Sequence, residues 1–303
     1  MGIHERPFAE GWIFCEFFFI LSGYFTFAYF SQITSISMDD MAKRAIKHTI
    51  RKYKAFFPYV VLSQTFAYLL TSYDNHITKT TLINFLFDIT LLRGTFVEQP
   101  NTLYVFWFLL ALFTAYLPFC IMCQCKSKYV VYIGCFISVL LYYGYFGYKE
   151  FPCVQYLPAC IRAFIGLSLG VLVYSFSKTI EQQSFSSAQR LALTVFEIII
   201  LAMVVVCLYF NRFNIRLFLL FFVMGLSVTL SKQSYTYKIR GKIFTHLGKI
   251  SRLLFCFHTC VAIFISRFFF SLDNTVKLLI YFMLTIAASE IINICFTKFK
   301  KLI

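Results

Sequence analysis

A chain of 303 residues in which 60% of side chains are apolar and only 14% charged lacks the polar surface of a soluble domain, where about a quarter of residues are charged. The formal charge of +15 would suit a nucleic-acid partner, but Lys and Arg sit in the connections between apolar blocks. No basic tail or zinc-ligand cluster accompanies them, so nucleic-acid binding is excluded.

An apolar run of about 18 residues or more can cross roughly 30 Å of hydrocarbon as a helix. Such runs lie at Gly11–Phe30, Ala55–Tyr73, Leu103–Cys123, Tyr129–Phe146 and Leu157–Phe176, then at Leu191–Phe210, Ile215–Leu230, Ile250–Phe270 and Val276–Phe296. The seventh is short and carries Arg216. Barrel strands would alternate apolar and polar residues, whereas Leu217-Phe-Leu-Leu-Phe-Phe-Val does not. The fold class is therefore all-α, a polytopic transmembrane helical bundle of about nine spans, and residues 1–303 form one integral-membrane domain. Between the spans, Met38–Lys54 reads as a basic amphipathic helix leading into Pro58. It suits anionic headgroups or, alternatively, a substrate. The connection Asp74–Thr102 contains a short amphipathic stretch, Leu82–Leu92, that lies on the surface or re-enters.

Connections alternate in charge. Eighteen Lys and Arg residues fall on the side holding Lys43–Lys54, Ser231–Lys249 and the C-terminal tail, and seven on the other. The positive-inside rule makes the eighteen-residue side cytoplasmic, which places the C-terminus inside and Met1 outside. With no signal peptide at Met1, an odd span count implies one further helix upstream.

Eleven cysteines lie mostly within spans, where Cys acts as a small apolar residue. Cys123 and Cys125 have no second pair at zinc spacing, so no metal site is expected. Ionisable groups inside a bilayer are costly and become functional candidates. Glu16 lies in the first span, with Ser22 and Gly23 following; a catalytic carboxylate and a structural one paired with an Arg from a neighbouring helix both fit. His258 lies about 12 Å into its span and suits proton transfer to or from a hydroxyl. It equally suits a neutral imidazole donating to a carbonyl on an adjacent helix. Arg162, Glu197 and Glu290 are further intramembrane charges, and Arg252 and Arg267 stand near opposite ends of one span, where they can snorkel to the interfaces. Trp107 begins a span where Trp is enriched at membrane interfaces.

The segment Gly11-Trp-Ile-Phe-Cys-Glu-Phe-Phe-Phe-Ile-Leu-Ser-Gly-Tyr24 resembles the second helix of acyltransferase family 3, mainly bacterial O-acetyltransferases of cell-surface polysaccharide. Further pieces follow in the family's order: Arg51-Lys-Tyr-Lys-Ala-Phe-Phe-Pro58, Phe106-Trp-Phe-Leu-Leu-Ala111, Arg162-Ala-Phe-Ile-Gly-Leu-Ser-Leu-Gly170 and Gly248-Lys-Ile-Ser-Arg…Phe-His258. The resemblance implies ten helices in the complete fold, with this chain opening just before the second. The family's first helix carries a histidine thought to be catalytic, a position that His4 does not match. The resemblance also implies a cytoplasmic acyl-CoA donor, usually acetyl-CoA, no bound cofactor, and a polysaccharide or lipid-linked glycan acceptor.

The resulting expectation is a multi-pass O-acyltransferase of the bacterial cytoplasmic membrane. Glu16, Ser22 and His258 are its catalytic candidates, Glu16 and Ser22 resting on the more specific motif. Arg51, Trp107 and Arg162 are its candidates for binding acyl-CoA or substrate. A transporter or flippase of lipid-linked glycan, or an inactive remnant, is the alternative; a transporter would often show internal repeats with broken helices, and none is visible.

Overall fold

The computed structural model describes residues 13–33, 37–71, 79–92, 106–146, 156–210, 214–239 and 241–302. Among these, every regular element is helical. In chain order they are α1 (Phe14–Phe30), α2 (Met38–Thr71), α3 (Lys79–Ile89), α4 (Trp107–Cys123), α5 (Lys128–Leu141), a π turn (Tyr142–Phe146), α6 (Tyr156–Glu181), α7 (Ser187–Tyr209), α8 (Ile215–Leu230), a 3₁₀ turn (Tyr235–Lys238), α9 (Lys242–Phe268) and α10 (Asn274–Leu302).

Each expected span meets a helix. Pro158–Glu181, Ser187–Tyr209, Thr245–Phe268 and Asn274–Lys298 are long and apolar enough to cross a membrane. Phe14–Phe30, Trp107–Cys123, Lys128–Gly144 and Ile215–Leu230 are apolar but shorter. The second span is the later part of α2, whose 34 residues fuse it with the basic amphipathic stretch in one helix. Residues Gly11, Trp12, Ser72, Tyr73 and 103–105 of the expected spans, and residues 74–78 and 93–102 of the outer connection, lie outside the described residues.

The chain forms two compact units, Met1–Thr49 with Ala111–Ile239, and Ile50–Leu110 with Arg240–Ile303. In the first unit, α1 and α6 run parallel. Glu16 meets Arg162 near one end, and Gly23 meets Leu167 further along. Small residues let the backbones touch, as membrane helices require when hydrophobicity gives no drive to associate. A Cβ on Gly170 would collide with the Ile20 carbonyl and the Tyr24 amide, and one on Gly23 with the Leu167 carbonyl. Gly170→Ala is therefore expected to destabilise by about 1–3 kcal/mol, a typical overpacking cost. Gly134→Ala, with nothing within 4 Å, is expected to be neutral or mildly stabilising in its helix. Thermal midpoints in detergent check this, and equal midpoints for the two variants would exclude backbone contact at Gly170.

Caps set the other boundaries of this unit. Ser186 and Gln189 form a capping box at the start of α7, which satisfies two amide donors reciprocally. The Asn214 side chain accepts from the amides of Arg216 and Leu217 at 3.1 and 3.3 Å. That cap fixes the start of α8, the shortest expected span.

The second unit is laced through backbone carbonyls. Arg252 donates to the Ala55 carbonyl at 3.4 Å, the Cys260 thiol to that of Ser63 at 3.2 Å, and Arg267 to that of Leu70. All three pairs share one sequence offset, so α2 and α9 run parallel in register over about 22 Å at 1.5 Å per residue. The Ala55 contact lies beside Pro58, which removes one donor from the helical ladder of α2. On α10, Glu290 pairs with His246 of α9, and Phe296 packs on Tyr59 of α2 at 5.3 Å. The amphipathic stretch forms α3, with Leu82, Ile83 and Leu86 exposed and Asp88 buried. The Tyr68 hydroxyl donates to Asp88 at 2.7 Å. Spans one and five thus run parallel, as do spans two and eight, which alternate crossing of a membrane requires.

Candidate functional site

The first unit buries a polar centre on three elements. Glu16 of α1 is fully buried and ion-paired with Arg162 of α6, itself 3% exposed. Oε1 of the carboxylate accepts from Arg162 Nε, and Oε2 accepts from the Tyr143 hydroxyl at 3.2 Å. Tyr143 belongs to the π turn, which carries it into the apolar cluster of Ile20, Tyr24, Ile165 and Phe218. Arg216 of α8 donates to the carbonyls of Tyr143 at 3.0 Å and Gly144 at 3.3 Å. Of the two readings of Glu16, the geometry supplies the pair with an Arg of a neighbouring helix. Both oxygens are engaged, so this carboxylate holds charge and orientation in place.

Ser22, a turn and a half beyond Glu16 on α1, faces the Tyr116 phenol of α4 together with Thr26. The Tyr116 ring also meets His48 edge-on at 6.0 Å. His48 is buried at 6% exposure, stacked on Tyr29 at 5.5 Å and edge-on to Phe30 at 5.2 Å. Nothing in the basic sequence of α2 around His48 sets it apart as a site residue. Its spacing from Met41 and Ala45 does mark the apolar face of that helix.

In the second unit, His258 Nδ1 lies 2.7 Å from the Phe255 carbonyl of its own helix. A carbonyl cannot donate, so Nδ1 carries the proton, and in the neutral ring Nε2 keeps its lone pair. Nε2 lies 3.3 Å from the Thr259 hydroxyl. The bond to a carbonyl is thus made within α9, where an adjacent helix was the expectation. A run of rings connects His258 to Trp107: His258 to Phe255 at 5.9 Å, Phe255 to Phe108 at 5.3 Å, and Phe108 to Trp107 at 6.3 Å. Arg51 is exposed on α2.

The remaining intramembrane charges have partners. Glu197 accepts from the hydroxyls of Thr229 and Thr236, each at 2.6 Å, which ties the 3₁₀ turn to α7. Arg252 and Arg267 donate to carbonyls of α2, where snorkelling to the interfaces was the expectation. Among the described residues, no group of three or more His, Cys, Asp or Glu side chains could hold a metal ion.

Neither a curated protein nor a solved structure matches the chain. A family profile, that of the acyltransferase domain, matches residues 13–294 and so spans both units and every helix that carries the residues above. Nearly the whole of this helical membrane protein falls within that match, and the chain belongs to acyltransferase family 3 as a membrane acyltransferase.

Proposed function

We propose that the protein transfers an acyl group, acetyl in the first instance, from acyl-CoA to a hydroxyl of a cell-surface or lipid-linked polysaccharide. The family match over residues 13–294 carries this reading, and the polar groups buried in an apolar bundle support it. In the transfer, the sugar oxygen attacks the thioester carbonyl carbon, the C–S bond breaks, and the hydroxyl proton passes through a base to the departing thiolate. Nε2 of His258, the unprotonated nitrogen of the neutral ring with the Thr259 hydroxyl beside it at 3.3 Å, is the group suited to that proton. Exposed Arg51, among the other basic side chains of α2, suits the phosphates of the donor. Trp107 lies on the ring path to His258 and offers a face to the acyl or sugar moiety. Glu16, Arg162 and Ser22 form the polar centre of the first unit, a fixed charge array that is the alternative seat of the reaction should His258 not supply the base.

The decisive assay uses the protein in lipid nanodiscs with radiolabelled acetyl-CoA and a panel of glycans. Label appearing on glycan, with free CoA released in equal amount, is the expected result. Glycan crossing a vesicle bilayer without modification would establish the transporter instead, and neither event would establish a remnant.

The site of action is the bacterial cytoplasmic membrane, with the C-terminus in the cytoplasm and acyl-CoA taken from that side. In a cysteine-free background, a single Cys at Gln183 is expected to react with an impermeant maleimide only after lysis. A Cys at Ser271 is expected to react in intact cells. The reverse pattern would invert the topology.

A further inference from the structure

We propose that Arg216 is a positioning residue, clamping the π turn Tyr142–Phe146 so that the Tyr143 phenol is held on the Glu16 carboxylate. A cation in the first turn of a helix sits against the positive end of the helix dipole. No acidic residue stands in the first turn of α8 to offset it. The guanidinium donates to two successive carbonyls of the π turn, those of Tyr143 and Gly144. Wide π turns inside helical segments recur at functional sites, and this one turns Tyr143 inward among buried apolar side chains. The phenol completes the coordination of Glu16 that Arg162 begins. Asn214 fixes the first turn of α8 from below, so the anchor for the π turn is itself held. Arg216→Lys leaves a point charge without the planar fork, which serves one carbonyl well but not two.

The effect on turnover rests on the reading of Glu16 as part of the reaction centre, whereas the effect on Tyr143 does not. The test therefore reads both. 3-Fluorotyrosine placed at position 143 gives a ¹⁹F resonance sensitive to the phenol's hydrogen bond, recorded in nanodiscs for the parent chain and for Glu16→Gln, Arg216→Lys and Arg216→Gln. Glu16→Gln is expected to shift the resonance. Arg216→Gln is expected to move it the same way and broaden it, with Arg216→Lys between the parent and Gln variants. Acyl transfer in Arg216→Gln is expected to fall on the order of 10²-fold, the scale set by a displacement of about 1 Å at a reacting centre. In a Tyr143→Phe background, Arg216→Gln is expected to add little to the loss. A resonance unmoved in Arg216→Gln overturns the inference; if that variant does not fold, an unmoved resonance in Arg216→Lys does the same. A resonance that moves while transfer stays at the parent rate supports the clamp and removes Glu16 from the reaction centre.

Discussion

Arg162→Met is expected to destabilise the protein by about 3–5 kcal/mol, because it strands a fully buried carboxylate without its cation. Glu16→Gln with Arg162→Met together should recover much of that loss, since a buried pair is often replaceable by neutral groups of similar volume. The expectation follows from burial on both sides, with Glu16 at 0% and Arg162 at 3% exposure, and from the absence of bulk water to rehydrate the orphaned charge. Tyr143 would remain as a donor to Glu16, which softens the loss without neutralising the charge. Thermal midpoints of the two single variants and the double variant, measured in one detergent, give the coupling. An Arg162→Met midpoint within a degree of the parent would show that the carboxylate is hydrated or protonated and that the pair carries little of the fold. Activity is a separate question: if the double variant is stable yet inert in the acyl-transfer assay, the charge array itself is needed for the reaction.

Span positions were legible in the sequence because hydrocarbon thickness imposes a length on any apolar run, and every expected span coincides with a helix. Boundaries were less legible where chemistry outside the window intervenes. The fusion of Met38–Lys54 with the second span has no sign in hydropathy, which changes abruptly at Ala55. Pro58 was expected to follow the basic helix, within the second span. It is accommodated inside α2, and a partner carbonyl bond from Arg252 sits at Ala55 beside it. The close approach of α1 and α6 left a clearer trace, Gly166-Leu-Ser-Leu-Gly170 opposite Gly23, a small-residue spacing that permits backbone contact.

The candidate site was legible only as a set of charges. Intramembrane cost singled out Glu16, Arg162 and His258, and the structure pairs the first two across helices 146 residues apart in sequence. Tyr143 could not be singled out, since it stands in Leu141-Tyr-Tyr-Gly-Tyr-Phe146 among look-alike aromatics and only the π turn selects it. Arg216 registered as a flaw in a short span because the carbonyls that receive it lie in a segment, Leu141–Phe146, with no acidic side chain to signal them. His48 was masked by the six basic side chains around it on α2, although its burial against Tyr29, Phe30 and Tyr116 gives it an environment unlike theirs.

His258→Ala is expected to lower kcat/KM by about 10²–10⁴-fold, the range typical for loss of a general base, with a thermal midpoint close to the parent. The separation of the two effects comes from its bonding. The hydrogen bonds of His258 run to Phe255 and Thr259 of its own helix, so removing the imidazole unlatches no helix from another. Arg162 is the opposite case, and the two variants side by side distinguish a chemical role from a structural one. A base must be unprotonated to act, so transfer is expected to rise with pH along the acid limb of the profile, and His258→Ala should lose that limb. Thr259→Val, which removes the hydroxyl next to Nε2 and keeps the ring, should retain the limb at a lower rate. Side-by-side assay of Glu16→Gln, Ser22→Ala and His258→Ala at equal expression then ranks the two units. Near-parent turnover in His258→Ala with the acid limb intact would take the base away from α9 and leave the polar centre around Glu16 and Ser22 to be tested for it.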